Sequence, residues 1–277
     1  NLQEVRAREG RVVAVTDRDD PDVASLAGSV LRVVEAPSPL TPFLTILPLP
    51  GSYGSAGDDL RGALPWFPLV GLVLGGVAAA GAWLFWQFLP VSVAAVALVL
   101  LLLSFSGAMH LDGLADTADG FFSARGRQEM LTIMRDSRIG VMGVVAVVMV
   151  LLLKTACLGV LSPEAALRAG LLIPLAGRCA LVLMVVLLPY VRPEGGLATT
   201  LYAGRSPWAV PLALAVLILA GLGVLGMLGG GAVGLSVLAV LLFSWHCRRK
   251  IGGATGDTLG ASCELAETVM VLALTGQ

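Results

Sequence analysis

Long apolar runs separated by short polar loops organise the chain from Pro65 to its end. A helix needs roughly 20 predominantly apolar residues to cross a bilayer. By that measure the runs predict spans near 68–89, 91–109, 140–161, 169–191, 209–228, 231–247 and 257–275. The fold class expected is therefore all-α, a polytopic membrane helix bundle of about seven spans over residues 43–277. Glycines are frequent in these runs, and small residues let membrane helices approach closely. Residues 1–40 break the pattern. They are charged, contain the strand-like run Arg11–Val15 and continue into Asp17, Asp19, Asp20 and Asp22. About forty residues bury too little to form a core, so they read as a soluble tail or fusion remnant. The chain opens on Asn1 without the basic start, apolar run and small-residue cleavage site of a signal peptide.

Composition agrees with a bilayer environment. Hydrophobic residues make up 57% of the 277 and charged residues 13%, against about a quarter charged in soluble domains. A net charge of -1 offers no basic stripe for nucleic acid. Cys157, Cys179, Cys247 and Cys263 lie far apart, with neither metal-ligand spacing nor a disulfide framework, and read as packing residues. Arginines then orient the bundle. Arg125, Arg127, Arg135 and Arg138 fall in the loop 110–139, Arg192 and Arg205 in 192–208, and Arg248, Arg249 and Lys250 after the sixth span. The opposite loops hold only Arg168, so the excess of positive charge places these three polar regions and the N-terminus on the cytoplasmic side of an inner membrane.

Three clusters carry the chemistry. In HLDGLADTADG, Asp112, Asp116 and Asp119 are spaced by four and three, which puts all three carboxylates on one helical face. Such a group repels itself unless a cation intervenes, and hard oxygen ligands suit Mg²⁺. In MRDSRIGVMG, Arg135 and Arg138 flank Asp136 and form a candidate diphosphate clamp. In RRKIGGATGDTLGASCELAE, Gly252, Gly253 and Gly256 would let backbone amides reach a phosphate where the last helix begins, with Asp257 and Glu264 seven residues apart on one face. The glycine stretch lacks the spacing of a P-loop. Lys154 and Arg178 are charged residues inside apolar runs, at similar depth, where they could neutralise Glu267 or line a substrate cavity. His246 beside Trp245 reads as interfacial, whereas His110 is a candidate general base or a hydrogen-bonded helix-end residue.

Taken together, FLTILPLP, WFPLVG, HLDGLADTADG, RDSRIGVMG, GRCALVLMVVLLPYVRPEGG and GGATGDTLGASCELAE resemble the cobalamin synthase family, the adenosylcobinamide-GDP ribazoletransferases, from about Phe43 onward. Residues 1–40 fall outside it and resemble the tail of a sugar-phosphate isomerase domain of the glucosamine-6-phosphate synthase type. The family resemblance implies transfer from adenosylcobinamide-GDP to α-ribazole or its 5′-phosphate with release of GMP, and Mg²⁺ as cofactor. On that reading Asp112, Asp116, Asp119 and Asp257 hold metal and diphosphate, with Glu264 as a further ligand. Arg135 and Arg138 stabilise the growing charge, and His110 or a carboxylate such as Asp116 accepts the hydroxyl proton. Arg125, Arg178, Arg192, Gly253 and Gly256 complete the expected substrate contacts. The carboxylate helix is expected to pack against the start of the last helix. Partners are then the two small-molecule substrates and the bilayer; assembly into a homo-oligomer is left open. Two other readings compete: a CDP-alcohol-type phosphotransferase, whose Asp-rich motif DTADGFFSAR matches one residue too long, and an ion-coupled transporter, which would place its acids near the midplane.

Overall fold

The computed structural model describes residues 13–16, 29–32, 62–192 and 197–276. FLTILPLP and most of the N-terminal tail lie outside the described residues. Within that tail Val13–Thr16 pairs in parallel with Ser29–Arg32, Val13 opposite Ser29, which overlaps the strand expected over Arg11–Val15 and is the one pair of strands among the described residues.

From a short 3-10 turn at Leu64–Trp66 the chain enters α1 (Phe67–Phe88), then α2 (Val91–Ser104) and α3 (Met109–Phe121). The short α4 (Arg127–Ile133) leads to α5 (Val141–Gly159) and α6 (Pro163–Leu187). After α7 (Leu197–Ala203) come the long α8 (Ala209–Ile251) and α9 (Gly256–Leu274). Among the described residues, α1 with its 3-10 turn, α5, α6 and α8 are long and apolar enough to cross a membrane, and the bent pair α2–α3 could count as a fifth crossing. The count of seven is thus not reached by length and hydropathy alone.

Two differences from the expected spans have local causes. The run 91–109 does not continue as one helix: Gly107 and Ala108 take left-handed backbone angles, φ 57° and 62°, and α3 leaves α2 at 87°. A non-glycine residue in that conformation costs about 1–2 kcal/mol, so the turn is held by its surroundings. The part expected as loop 110–139 consequently holds two helices, α3 and α4. Conversely, the expected runs 209–228 and 231–247 join as α8. Straight, its 43 residues would measure about 64 Å, twice the hydrocarbon core. It is folded back instead: Gly226 has φ 59° and ψ −139°, and a Cβ on Gly229 would lie 2.0 Å from the Gly221 carbonyl oxygen.

The central post is α6, whose most apolar stretch is 83% buried against 22% for α5 and α8. It lies antiparallel to α1. A Cβ on Gly75 would sit 2.2 Å from the Leu171 carbonyl oxygen, and one on Gly71 or Gly170 would meet backbone at 2.9 Å. The glycines spaced by four in α1 therefore let it pack closely on α6, as membrane packing through small residues predicts. The other faces of α1, α5 and α8 expose Leu, Val and Trp side chains, among them Leu69, Val144, Leu152, Leu219 and Leu242, as lipid-facing surfaces do.

Candidate active site

The polar loops meet at one end of the bundle. Gly113 of α3 lies so close to the first turn of α9 that a Cβ there would stand 2.7 Å from the Asp257 carbonyl oxygen, and one on Gly260 would stand 3.0 Å from His110 backbone. The segment after α6 joins the segment before α9 as a small parallel bridge, with Val191 N–H donating to the Ala254 carbonyl at 3.0 Å and Ala254 N–H to Pro189 at 2.9 Å. Lys250 Nζ donates to the Phe121 carbonyl at 3.1 Å, satisfying the end of α3. The predicted packing of the carboxylate helix against the start of the last helix is what the structure shows.

Asp112 and Asp116 line a cavity of about 220 Å³ together with Ala115, Met134, Arg135, Asp136, Ser137 and Ile139. Asp257 approaches from α9, and its Oδ2 accepts from Arg192 at 2.7 Å and from Thr255 Oγ1 at 3.3 Å. Arg192 also donates to the Met134 carbonyl at 3.4 Å. One guanidinium thus ties together the segment after α6, the loop after α4 and the first turn of α9. Burial, then the neighbouring carboxylates of Asp257 and Asp112, push the Asp116 carboxyl up to about 7, against the lowering influence of Arg192. Three carboxylates, Asp112, Asp116 and Asp257, thus stand near one another, with Arg192 paired to Asp257 and Arg135 on the cavity wall.

Several expected site residues are committed elsewhere. Both oxygens of Asp119 are taken by backbone amides: Oδ2 accepts from Gly140 N–H at 2.6 Å and Oδ1 from Gly143 N–H at 2.8 Å. Glu264, expected near the metal, lies in the bundle interior. There Lys154 Nζ donates to Glu264 Oε2 and Glu267 Oε2, each at 2.7 Å, and Arg178 donates to Glu267 Oε1 at 3.1 Å. These four side chains are at most 5% exposed, so Arg178 meets Glu267 rather than a substrate, the ion-pair alternative left open by its sequence. Arg138 points outward, its side chain 87% exposed, and pairs with Asp136 at 2.6 Å. That guanidinium holds the Asp136 carboxyl down at about 2. Arg125 is exposed in the turn after α3, away from the cavity lining. His110 is 2% exposed and packs on α9. Gly253 makes a close backbone contact: a Cβ there would lie 2.2 Å from the Pro189 carbonyl oxygen. Gly256 opens α9 with free space around it, behind a capping box in which Thr255 and Thr258 bond each other's backbone amides. That cap was legible as Thr-x-x-Thr before the last helix. The convergence on Arg192 had no local signal.

Among the described residues, no three of His, Cys, Asp and Glu stand close enough to form a ready-made metal cage.

Fold and site define the class: a polytopic helical membrane protein with an arginine-bridged carboxylate cluster at one end. A family model described as cobalamin-5-phosphate synthase matches residues 40–275. The chain is 42% identical over 246 residues to the adenosylcobinamide-GDP ribazoletransferase of Roseiflexus sp. (strain RS-1), covering 84% of this chain and 86% of the relative. It is 42% identical to that of Desulforamulus reducens (85% and 94% covered) and 39% identical to that of Klebsiella pneumoniae subsp. pneumoniae (84% and 96%). No solved structure matches. The chain belongs to the cobalamin-5-phosphate synthase family, and it is a transferase enzyme of cobalamin biosynthesis, in accord with the resemblance carried by its motifs.

Proposed function

We propose that the enzyme joins adenosylcobinamide-GDP to α-ribazole or its 5′-phosphate and releases GMP, at the cavity between α3, the loop after α4 and the first turn of α9. The supporting observation is the crowding of carboxylates there: Asp116 lies beside Asp112 and Asp257 and is pushed up to about 7, while Arg192 pairs with Asp257. A diphosphate entering such a place needs a cation. Mg²⁺ fits the donor set, since it binds through one or two carboxylates and takes the rest of its octahedron from phosphate oxygens and water. Asp112 and the remaining oxygen of Asp257 would hold it, and when bound it supplies neutralisation of the diphosphate charge. Glu264 and Asp119 are left out of this set because their oxygens are engaged elsewhere.

In the reaction, a ribazole hydroxyl oxygen bonds to the phosphorus on the cobinamide side while the bridging bond to GMP breaks, and GMP leaves with the electron pair. Asp116 accepts the hydroxyl proton, its affinity matched to neutral pH. Arg135, on the cavity wall, and Arg192 offset the charge that grows on the phosphate oxygens. Such transfer depends chiefly on positioning and charge, which this end of the bundle provides.

The reading extends to the membrane arrangement. With α8 folded at Gly226, seven segments run between the two ends: α1, α2, α5, α6, the two arms of α8, and α9. The site end bears the arginine-rich loops and faces the cytoplasm under the positive-inside rule. The decisive experiment measures GMP release from adenosylcobinamide-GDP plus α-ribazole by the detergent-purified protein across a Mg²⁺ titration. Magnesium-dependent release of one GMP per product supports the proposal. Absence of release, or release unaffected by EDTA, defeats it.

A further inference from the structure

We infer that Asp119 is a positioning residue, which caps α5 and thereby holds the loop after α4 across the cavity. Helix α5 begins at Gly140 with no side-chain cap of its own. Its first amides would otherwise be orphan donors at the positive end of a helix dipole. Asp119 reaches from α3 to supply the missing cap with both oxygens, at 2.6 Å to Gly140 and 2.8 Å to Gly143.

The glycines make this approach possible. A Cβ on Gly140 would stand 2.4 Å from Asp119 Oδ1, and one on Gly143 would stand 2.5 Å from Oδ2 and 3.0 Å from the Ala115 carbonyl. Both positions therefore exclude a side chain for the sake of the same carboxylate. At its other end the loop is tied by Arg192 to the Met134 carbonyl. Between the two ties lie Arg135, Asp136, Ser137 and Ile139, which form the cavity wall opposite Asp112 and Asp116. The three aspartates of one helix face are thus divided. Asp112 and Asp116 face the cavity, while Asp119 sets where the opposite wall stands.

The test compares Asp119→Asn, Gly143→Ala and the double variant in the full-length detergent-solubilised protein. Hydrogen exchange is followed at the amides of residues 140–143, alongside kcat, KM for adenosylcobinamide-GDP and the half-saturating Mg²⁺ concentration. Loss of a helix cap predicts exchange faster by about tenfold in each single variant. The same loss predicts kcat/KM lower by about tenfold, half-saturation by Mg²⁺ unchanged within about twofold, and a double variant no worse than the poorer single one. Gly143→Ala keeps every charge and oxygen, so it reports on the cap even if Asp119→Asn fails to fold. Unchanged exchange in both variants would overturn the inference, as would a tenfold rise in half-saturating Mg²⁺ for Asp119→Asn alone, which marks a metal ligand. The turnover readings rest on the reaction proposed above. The exchange readings do not, so a wild-type protein without GMP release would sink that reaction while leaving the cap testable.

Discussion

Two groups of charged side chains stand about two helical turns apart along α9, and their contrast explains what each does. In the interior, Lys154 and Arg178 meet Glu264 and Glu267 in a set of two cations and two anions, closed at 2.7–3.1 Å and sealed from solvent. At the end of the bundle, Asp112 and Asp116 line an open cavity with Arg135, and Asp257 beside them pairs with Arg192. The first set is electrically complete, so it links α5, α6 and α9 and offers nothing to a ligand. The second crowds carboxylates at an open cavity, where the proposed divalent cation and diphosphate would enter. Intramembrane charges mark function by default, yet here the more deeply buried ones are paired with one another.

The contrast is broken most severely at Lys154. Replacing it by Met leaves Glu264 and Glu267 facing each other with Arg178 alone, and breaking a buried pair typically costs about 3–5 kcal/mol. Lys154→Met is expected to lower the melting temperature sharply or abolish folded yield in detergent, with partial recovery on adding Glu264→Gln. A Lys154→Met protein that melts like wild type would show that the interior set is not structural.

At the site the expected effects fall on turnover instead. Asp116→Asn should lower GMP release by about 10²–10⁴, the range for loss of a positioned proton acceptor, while the fold melts no lower than wild type because a like-charge repulsion is removed. Asp112→Asn should raise the Mg²⁺ concentration needed for half-maximal release. Wild-type turnover in Asp116→Asn would remove that residue from the chemistry.

pH sharpens the same comparison. Because the Asp116 carboxyl is raised from its ordinary 3.8 to about 7, the folded protein holds a proton there that the unfolded chain has released. Its contribution to stability is therefore lost as pH rises from about 4 to 7, the reverse of a salt-bridged carboxylate. Without Mg²⁺ the melting temperature should fall between about pH 4 and 7; with Mg²⁺ or with Asp116→Asn the fall should flatten. Turnover should rise over the same interval as Asp116 ionises. A melting temperature independent of pH in the absence of metal would contradict the crowding of carboxylates at this end.

The smallest effect is expected at Arg138. Its guanidinium is exposed and occupied by Asp136, and water and salt screen such a pair so that it adds little to stability. Arg138→Ala should leave melting nearly unchanged and reduce turnover far less than Arg135→Ala, which alters the cavity wall. Equal losses in the two variants would restore the symmetric clamp that the spacing of MRDSR suggests.

Much of this protein was determined by its sequence alone. Apolar runs of bilayer length required helices, the four-and-three spacing of Asp112, Asp116 and Asp119 required one helical face, and the arginines placed the three polar regions on one side. These are local regularities, fixed by the helical repeat and the thickness of the bilayer. The combined motifs also carried the family. Only the tertiary structure decided how the charges are shared out. Lys154 meets Glu264 across 110 positions, and Asp119 meets Gly140 and Gly143 across 21 and 24. Periodicity says which face a carboxylate is on but not which neighbouring helix supplies its partner. Asp119 and Asp116 are alike in sequence context, and one bonds the first amides of α5 while the other lines the cavity, because α5 begins beside the first and a cavity opens beside the second.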